Sequence, residues 1–162
     1  MLVVADASPL HYLVLIEADG TLPALFDRLV IPQAVAGELQ HPRTPPAVRA
    51  WMAAPPVWLD IRDAGRTDAT LAHLDLGEQE AILLMLDLHA ELLLMDEWEG
   101  RREAVRRGLT VTGTLGVLER AAVRGLADLP TLLTRLQATN FYAPAGLIRD
   151  LLARDAARKR QG

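Results

Sequence analysis

Two short runs of sequence, LVVAD at residues 2–6 and LLLMD at residues 92–96, decide the fold class of this chain. Each is a continuous apolar stretch that ends in an aspartate. Runs of this length, bounded by polar or turn residues, are typical of strands covered on both faces, as in a parallel sheet. Ligands bind such sheets beyond the carboxyl ends of the strands, near the point where strand order reverses. We therefore expect Asp6 and Asp96 at the ligand-binding edge of one sheet.

Short apolar segments alternate with helical stretches along most of the chain, which predicts an α/β domain with a mostly parallel central sheet. Strands are predicted near residues 2–6, 29–31, 57–61, 92–96 and 109–112. Helices are predicted near residues 9–18, 21–28, 32–40, 45–53, 77–89, 98–107 and 114–124. Two more helices, near 128–138 and 144–158, follow without another strand, and we interpret them as a C-terminal helical appendage. The polar stretch 63–75 is expected to be mobile.

Composition restricts the chemistry that the chain can perform. With 162 residues, 51% of them hydrophobic, the chain is long enough to bury a core as one domain. It has no cysteine, which excludes disulfides, thiolate zinc sites and a cysteine nucleophile. No signal-like segment or membrane-spanning run is present, so we expect a cytoplasmic protein without membrane contact. A net charge of −4 argues against binding nucleic acid through bulk positive charge, although the arginines are clustered.

Two further acidic positions fall on predicted helices. Glu38 lies in the helix near 32–40, and Glu78 follows Gly77 at the start of the strongly apolar helix near 77–89. Glu80 lies two residues further on and points nearly the opposite way from a regular helix, so both glutamates cannot face one ion. We take Glu78 as the candidate ligand and Glu80 as a secondary candidate that orients a neighbour or binds a second cation. The helix dipole also favours an acid in a first turn.

Simpler structural roles account for part of these motifs. Ser8 is predicted to be a helix N-cap with Pro9 at the first helical position, and Asp96 is a possible cap of the helix near 98–107. The turn at residues 112–116 (TGTLG) loosely resembles a phosphate-binding turn but lacks the lysine and the third glycine of such motifs. Thr114 in this turn is a candidate hydroxyl near the crevice. The four histidines are scattered, which argues against a zinc hydrolase.

Five motifs occur in order along the chain. They are Asp-x-Ser-Pro-Leu, Ile-Pro-x-x-Val-x-x-Glu-Leu, Leu-x-x-Gly-Glu-x-Glu-Ala-Ile, Leu-Leu-Leu-Met-Asp-Glu and Thr-Gly-Thr-Leu-Gly-Val-Leu. Together they resemble the PIN-domain family, and more narrowly its VapC-like toxin branch. The resemblance runs from about Val3 to Gly125 and is weaker over the tail. It implies a three-layer α/β domain, with residues 1–125 as the nuclease domain and residues 126–162 as its helical extension.

The resemblance also implies a site and an activity. Asp6, Glu38, Glu78 and Asp96 match the acidic metal-site positions of the family, and Ser8 matches its small hydroxyl position. One departure is that Glu78 stands where many relatives have aspartate. Family members are typically ribonucleases that depend on Mg²⁺ or Mn²⁺, and they are often homodimers. The toxins among them are held inactive by a small antitoxin protein.

From the residues themselves, clustered carboxylates require a cation, because two like charges ~4 Å apart repel by several kcal/mol at an effective dielectric near 20. All-oxygen ligation favours Mg²⁺ or Mn²⁺. Such a site is suited to metal-assisted phosphodiester hydrolysis, with Arg101, Arg102 or the tail arginines contacting backbone phosphates. The resemblance implies that the substrate is RNA. Two alternatives stay open: a non-catalytic interaction module with a residual acid cluster, and a nucleotide-binding α/β protein that uses the turn at residues 112–116.

Overall fold

The computed structural model describes all residues, 1–162, and contains one five-stranded sheet. Its strands are β1 (Leu2–Ala5), β2 (Arg28–Pro32), β3 (Leu59–Arg62), β4 (Leu92–Leu94) and β5 (Val111–Thr112). They lie in the order β3-β2-β1-β4-β5, and every neighbouring pair is parallel. The predicted α/β class is therefore confirmed, with a sheet that is parallel throughout.

Nine α-helices and two short 3₁₀ turns, Asp19–Thr21 and Ala69–Leu71, connect the strands. The helices are α1 (Ala7–Leu15), α2 (Leu22–Leu25), α3 (Gln33–Leu39), α4 (Pro46–Ala53), α5 (Leu76–Asp87), α6 (Trp98–Arg106), α7 (Thr114–Val123), α8 (Leu129–Gln137) and α9 (Ala145–Gln161). None of them has the length and apolar content needed to cross a bilayer.

Helices cover both faces of the sheet and create the three layers. Because successive strand residues point to opposite faces, Val3 and Ala5 enter one apolar cluster and Val4 enters the other. The first cluster has 27 buried residues and includes side chains from α1, α3, α7, α8 and α9. The second has 13 buried residues and is built mainly on α5. Since the first cluster includes Leu133 and Leu151, the tail helices share a core with the sheet.

The site is positioned by the reversal of strand order at β1. The chain adds β2 and β3 on one side of β1, then returns to place β4 and β5 on the other side. Ala5 pairs with Leu94, and the backbone N–H of Asp6 donates to the carbonyl of Leu94 at 2.8 Å. The carboxyl ends of β1 and β4 are thus adjacent, and the crevice expected of a doubly wound sheet opens between them.

Several predicted boundaries were wrong by a few residues. The helix expected near 21–28 is the four-residue α2, because the chain leaves it to form β2 from Arg28. The strand predicted at 92–96 ends at Leu94, so Asp96 lies two residues beyond it. The polar stretch 63–75 is anchored rather than free, since Leu71 and Leu74 are buried and Arg107 donates to Asp68 and Thr70.

Candidate active site

Asp6 lies directly after β1 with its side chain almost fully buried, at 4% exposure. Its Oδ1 atom is buried and has no hydrogen-bond partner. Burial raises the pKa of Asp6 to about 7, and the negative charges of Asp75, Glu38 and Asp96 add to the shift. A buried carboxylate oxygen without a partner is costly, so this atom requires a proton or a cation.

Ser8 is not the N-cap that its Ser-Pro sequence predicted. Helix α1 begins at Ala7, and Asp6 occupies the N-cap position without a side-chain capping bond. Pro9 is tolerated in the first turn because the N–H groups there have no intrahelical partner. The Ser8 hydroxyl instead donates to Oδ2 of Asp96 at 2.8 Å. Ser8 therefore joins the first turn of α1 to the end of β4.

Asp96 is held by three donors from two helices. Its Oδ1 accepts the backbone N–H of Thr114 at 2.7 Å, and its Oδ2 accepts the hydroxyls of Thr114 at 2.7 Å and Ser8 at 2.8 Å. The expectation that Asp96 caps α6 was wrong, because Glu97 occupies that N-cap. Asp96 sits at the N-terminus of α7 instead, where the helix dipole favours an anion. Its orientation is therefore fixed before any ligand binds.

The N-terminus of α5 brings two more acids to the crevice. Asp75 is the N-cap, and its Oδ1 accepts the backbone N–H of Glu78 at 2.8 Å. The Glu78 side chain is buried, which raises the pKa of Glu78 well above its ordinary range, and the hydrogen bond and charge of Asp75, with Asp6 and Glu97, raise it further. Asp75 and Glu97 were not among the candidates from sequence. Their charges nevertheless act on several of the acids that were.

Glu38 and Glu80 have different surroundings. Burial raises the pKa of Glu38, and so do the charges of Asp75 and Glu97, while His41 has the opposite effect. Glu80 points to α3, where its Oε2 accepts the backbone N–H of Ala34 at 3.0 Å. Glu80 therefore satisfies a free amide in the first turn of the helix that carries Glu38.

Gly77 is packed between two of the acids. A Cβ atom at this position would lie 3.3 Å from Oδ1 of Asp6 and 3.3 Å from Oε2 of Glu38. These two oxygens are thus at most about twice that distance apart. Gly100 in α6 makes a similar approach, since its Cβ would lie 3.3 Å from Oε2 of Glu78. The missing side chains of the two glycines leave space for the carboxylates.

The acidic side chains lie near one another but do not form a preformed set of metal ligands. No three histidine or acidic side chains are arranged closely enough to hold one metal ion. Asp6 is nevertheless close enough to Glu38 and Asp96 for their charges to raise its pKa, and the charge of Asp6 raises the pKa of Glu78. The unpartnered Oδ1 of Asp6 fits a cation that these four carboxylates would share. All donors there are hard oxygens, which suits Mg²⁺ or Mn²⁺. The side chains of Glu38 and Glu78 would need to turn towards Asp6 for ligation, whereas that of Asp96 is already fixed.

The predicted phosphate-contacting arginines differ in position. Arg101 lines the cleft that also contains Ser8 and Asp96, and its Nη1 donates to the carbonyl of Met95 at 3.2 Å. Arg102 does not line this cleft, because the next residue of a helix is rotated by ~100°. It lies over the Trp98 ring, with its guanidinium carbon 5.1 Å from the ring centroid. Of the tail arginines, Arg154 lines the cleft.

Fold and site together define an α/β protein with an acidic crevice at the switch point of a parallel sheet. A family model described as a PIN domain matches residues 2–156, and the chain belongs to the PIN-domain family, whose members are generally nucleases that use divalent metal ions. No curated protein matches the chain significantly. Among solved structures, the chain is similar to a PilT N-terminus domain protein from the hyperthermophilic archaeon Sulfolobus solfataricus P2. Identity is 15% and the TM-score 0.48, with 89% of this chain and 100% of the other covered.

The buried carboxyl of Asp6 predicts an unusual dependence of stability on pH. Because its pKa is raised in the folded state, its contribution to the free energy of unfolding is complete below its unfolded pKa near 4 and is lost as pH rises through about 7. In EDTA, Asp6→Asn should stabilise the protein at pH 8 by up to about 4 kcal/mol, and less at pH 5. Urea unfolding between pH 5 and pH 8 measures this change in the free energy of unfolding. Asp150→Asn, an exposed acid on α9, is the matched control, and equal pH profiles for Asp6→Asn and wild type would contradict the prediction.

The amide variants of Glu78 and Glu80 test which of these two glutamates of α5 binds the metal ion. Glu80→Gln keeps a side-chain oxygen for the Ala34 N–H, so its Mn²⁺ affinity should stay close to wild type if Glu80 only anchors α3. Glu78→Gln should lose Mn²⁺ affinity, and Glu80→Ala should lower the free energy of unfolding by about 1 kcal/mol, as other lost caps do. Calorimetric Mn²⁺ titration and urea unfolding measure these effects. Equal loss of affinity in Glu78→Gln and Glu80→Gln would make Glu80 a ligand.

Proposed function

We propose that this protein is a metal-dependent endoribonuclease that hydrolyses RNA phosphodiesters with Mg²⁺ or Mn²⁺. The observation that carries the proposal is the buried, unpartnered Oδ1 of Asp6 in a crevice of carboxylates. Membership of a generally nucleolytic family supports the same conclusion. Asp6, Glu38, Glu78 and Asp96 would hold the cation, with Glu80 as the secondary candidate. When bound, the cation would neutralise the carboxylates and polarise the phosphodiester and the attacking water.

The chain's own residues prepare the site for that chemistry. Ser8 and Thr114 fix the Asp96 carboxylate, so little reorganisation of this group is needed when the cation binds. Asp6 and Glu78, whose pKa values are raised, would release protons as the cation binds, which makes metal affinity fall at low pH. Arg101 supplies a positive charge beside Asp96 for a backbone phosphate of the RNA.

The turn at residues 112–116 is less suited to nucleotide binding. The backbone N–H of Thr114, the first amide of α7, already donates to Asp96 and is not free for a phosphate. A Cβ at Gly113 would lie 2.6 Å from the Asp96 carboxylate, so the turn closes around an acid. The geometry therefore favours a role for this turn in holding Asp96. The alternative function is that of a non-catalytic interaction module, which a measurement of RNA cleavage distinguishes from a nuclease.

The nuclease is tested with single acid-to-amide variants. Glu38→Gln and Asp96→Asn should remain folded and lose RNA cleavage by on the order of 100-fold or more, because outer-shell partners of metal sites already contribute 10–100-fold. Mn²⁺ binding by calorimetry should fall in the same variants, and EDTA should abolish wild-type cleavage. Asp150→Asn removes one negative charge from an exposed position and should cleave normally. Full cleavage in both site variants would contradict the assignment, and folded wild type that binds Mn²⁺ without cleaving RNA would favour the interaction module.

We further propose that the protein is the toxin of a VapC-like toxin–antitoxin pair, acts in the cytoplasm as a homodimer, and is inhibited by a small antitoxin. Expression of wild type should arrest bacterial growth, whereas Asp96→Asn should not, since it lacks cleavage. Co-expression of a small charged protein encoded immediately upstream should restore growth. Normal growth on expression of active wild-type enzyme would contradict the toxin role and leave the nuclease in place.

A further inference from the structure

The largest cleft extends from the acidic crevice towards the C-terminal helices. It encloses about 620 Å³ and is lined at one end by Ser8 and Asp96. The first turn of α7 also lines this cleft, as do residues 140–144, which connect α8 to α9. One extended ligand could therefore contact both the acids and this connection.

One wall of the cleft is aromatic. Tyr12 and Phe141 pack edge to face, with ring centroids 4.9 Å apart and an interplanar angle of 80°. The Tyr12 hydroxyl donates to Oδ1 of Asn140 at 2.8 Å, which fixes the connection against α1. This hydrogen bond uses the side-chain oxygen of Asn140 and leaves the two N–H donors of its side-chain amide for a ligand. The wall combines ring surfaces with a positioned amide.

Tyr142 stands apart from this packed pair. It lines the same cleft, yet its side chain is 84% exposed, in contrast to the half-buried Tyr12 and Phe141 beside it. Its ring therefore contributes little to the apolar core of the protein. A free aromatic ring on a cleft that reaches a nuclease site provides what an unpaired base needs, because every base has a π-face that stacks on such rings.

We propose that residues 140–142, with Tyr12 behind them, form a subsite in which an unpaired base of the RNA strand stacks on Tyr142 and receives a hydrogen bond from the Asn140 amide. The inference rests on the proposed function, because it takes the cleft to be shared by one strand whose phosphodiester lies at the acids. The charges lining the cleft are mixed, with Asp96, Glu97 and Glu119 beside Arg101 and Arg154. Stacking of the base on Tyr142 needs no net charge and is therefore the dominant attraction in this subsite.

Binding is measured in EDTA, so that no strand is cleaved, with a short single-stranded RNA of mixed sequence and a copy that has the same backbone but no bases. Wild type should bind the complete RNA more tightly than the abasic copy. Tyr142→Ala should weaken binding of the complete RNA by about 5- to 150-fold, the range typical of one stacked base, and should not weaken binding of the abasic copy. Tyr142→Trp should restore the affinity. Because Tyr142 is exposed, the alanine variant should fold normally.

Val57→Ala, another fully exposed apolar residue outside the cleft, is the control and should bind as wild type does. In Mn²⁺, Tyr142→Ala should raise KM by the same factor with kcat little changed. This is expected of a residue that binds the substrate and the transition state equally well. Equal affinity of wild type and Tyr142→Ala for the complete RNA would overturn the subsite. Tyr142-dependent binding without any cleavage would uphold the subsite and overturn the nuclease, so the two failures are distinguishable.

Discussion

Burial of carboxylates beside one another is the constraint on which the rest of this structure depends. Burial directly beyond β1 is the largest cause of the raised pKa of Asp6, and the charges of Glu38, Asp75 and Asp96 add to it. Two such charges ~4 Å apart repel by several kcal/mol at an effective dielectric near 20. Native domains are stable by only about 5–15 kcal/mol, so an arrangement of this kind is a substantial cost to the fold. The surrounding core of two apolar clusters stabilises the domain despite it.

The scaffold holds the acids in place through contacts from several elements. Asp96 is fixed by hydroxyls and an amide from α1 and α7, while Asp75 caps α5 and thereby fixes the backbone of Glu78. Glu80 anchors the helix that carries Glu38. Because the acids are held close to one another and cannot move apart, they take up protons when no cation is bound. The fixed carboxylate of Asp96 favours binding of a cation, because this group needs little reorganisation.

Sequence predicted the parts of this arrangement that depend on local pattern. The apolar runs that end in Asp6 and Asp96 gave β1 and β4, and the order of elements gave the parallel sheet and its crevice. Prediction failed where tertiary contacts decide the outcome. Ser8 follows the capping pattern, yet its hydroxyl bonds to a residue 88 positions away. Nothing local distinguishes such a partner from a cap.

Asp75 and Glu97 were missed for a related reason. Asp75 closes a polar stretch that resembles a mobile loop, and it caps α5 because this helix begins at Leu76 rather than at Gly77 as predicted. Glu97 follows Asp96 directly and adds no pattern of its own. The four acids assigned from sequence are those that follow apolar runs or match family motifs, whereas the influence of these two arises from proximity in space.

The C-terminal helices show how far the site extends beyond the elements that define the fold. Division of the chain at residue 125 stays a prediction, and the packing argues for a close connection, because α8 and α9 bury leucines in the same cluster as β1 and β4. Their connection also forms part of the aromatic wall of the cleft that Asp96 lines. If residues 140–142 form the proposed subsite, the carboxylates and the base contact come from different segments of the chain. These segments are joined through one core, because the buried leucines of α8 and α9 pack in the cluster that holds β1 and β4.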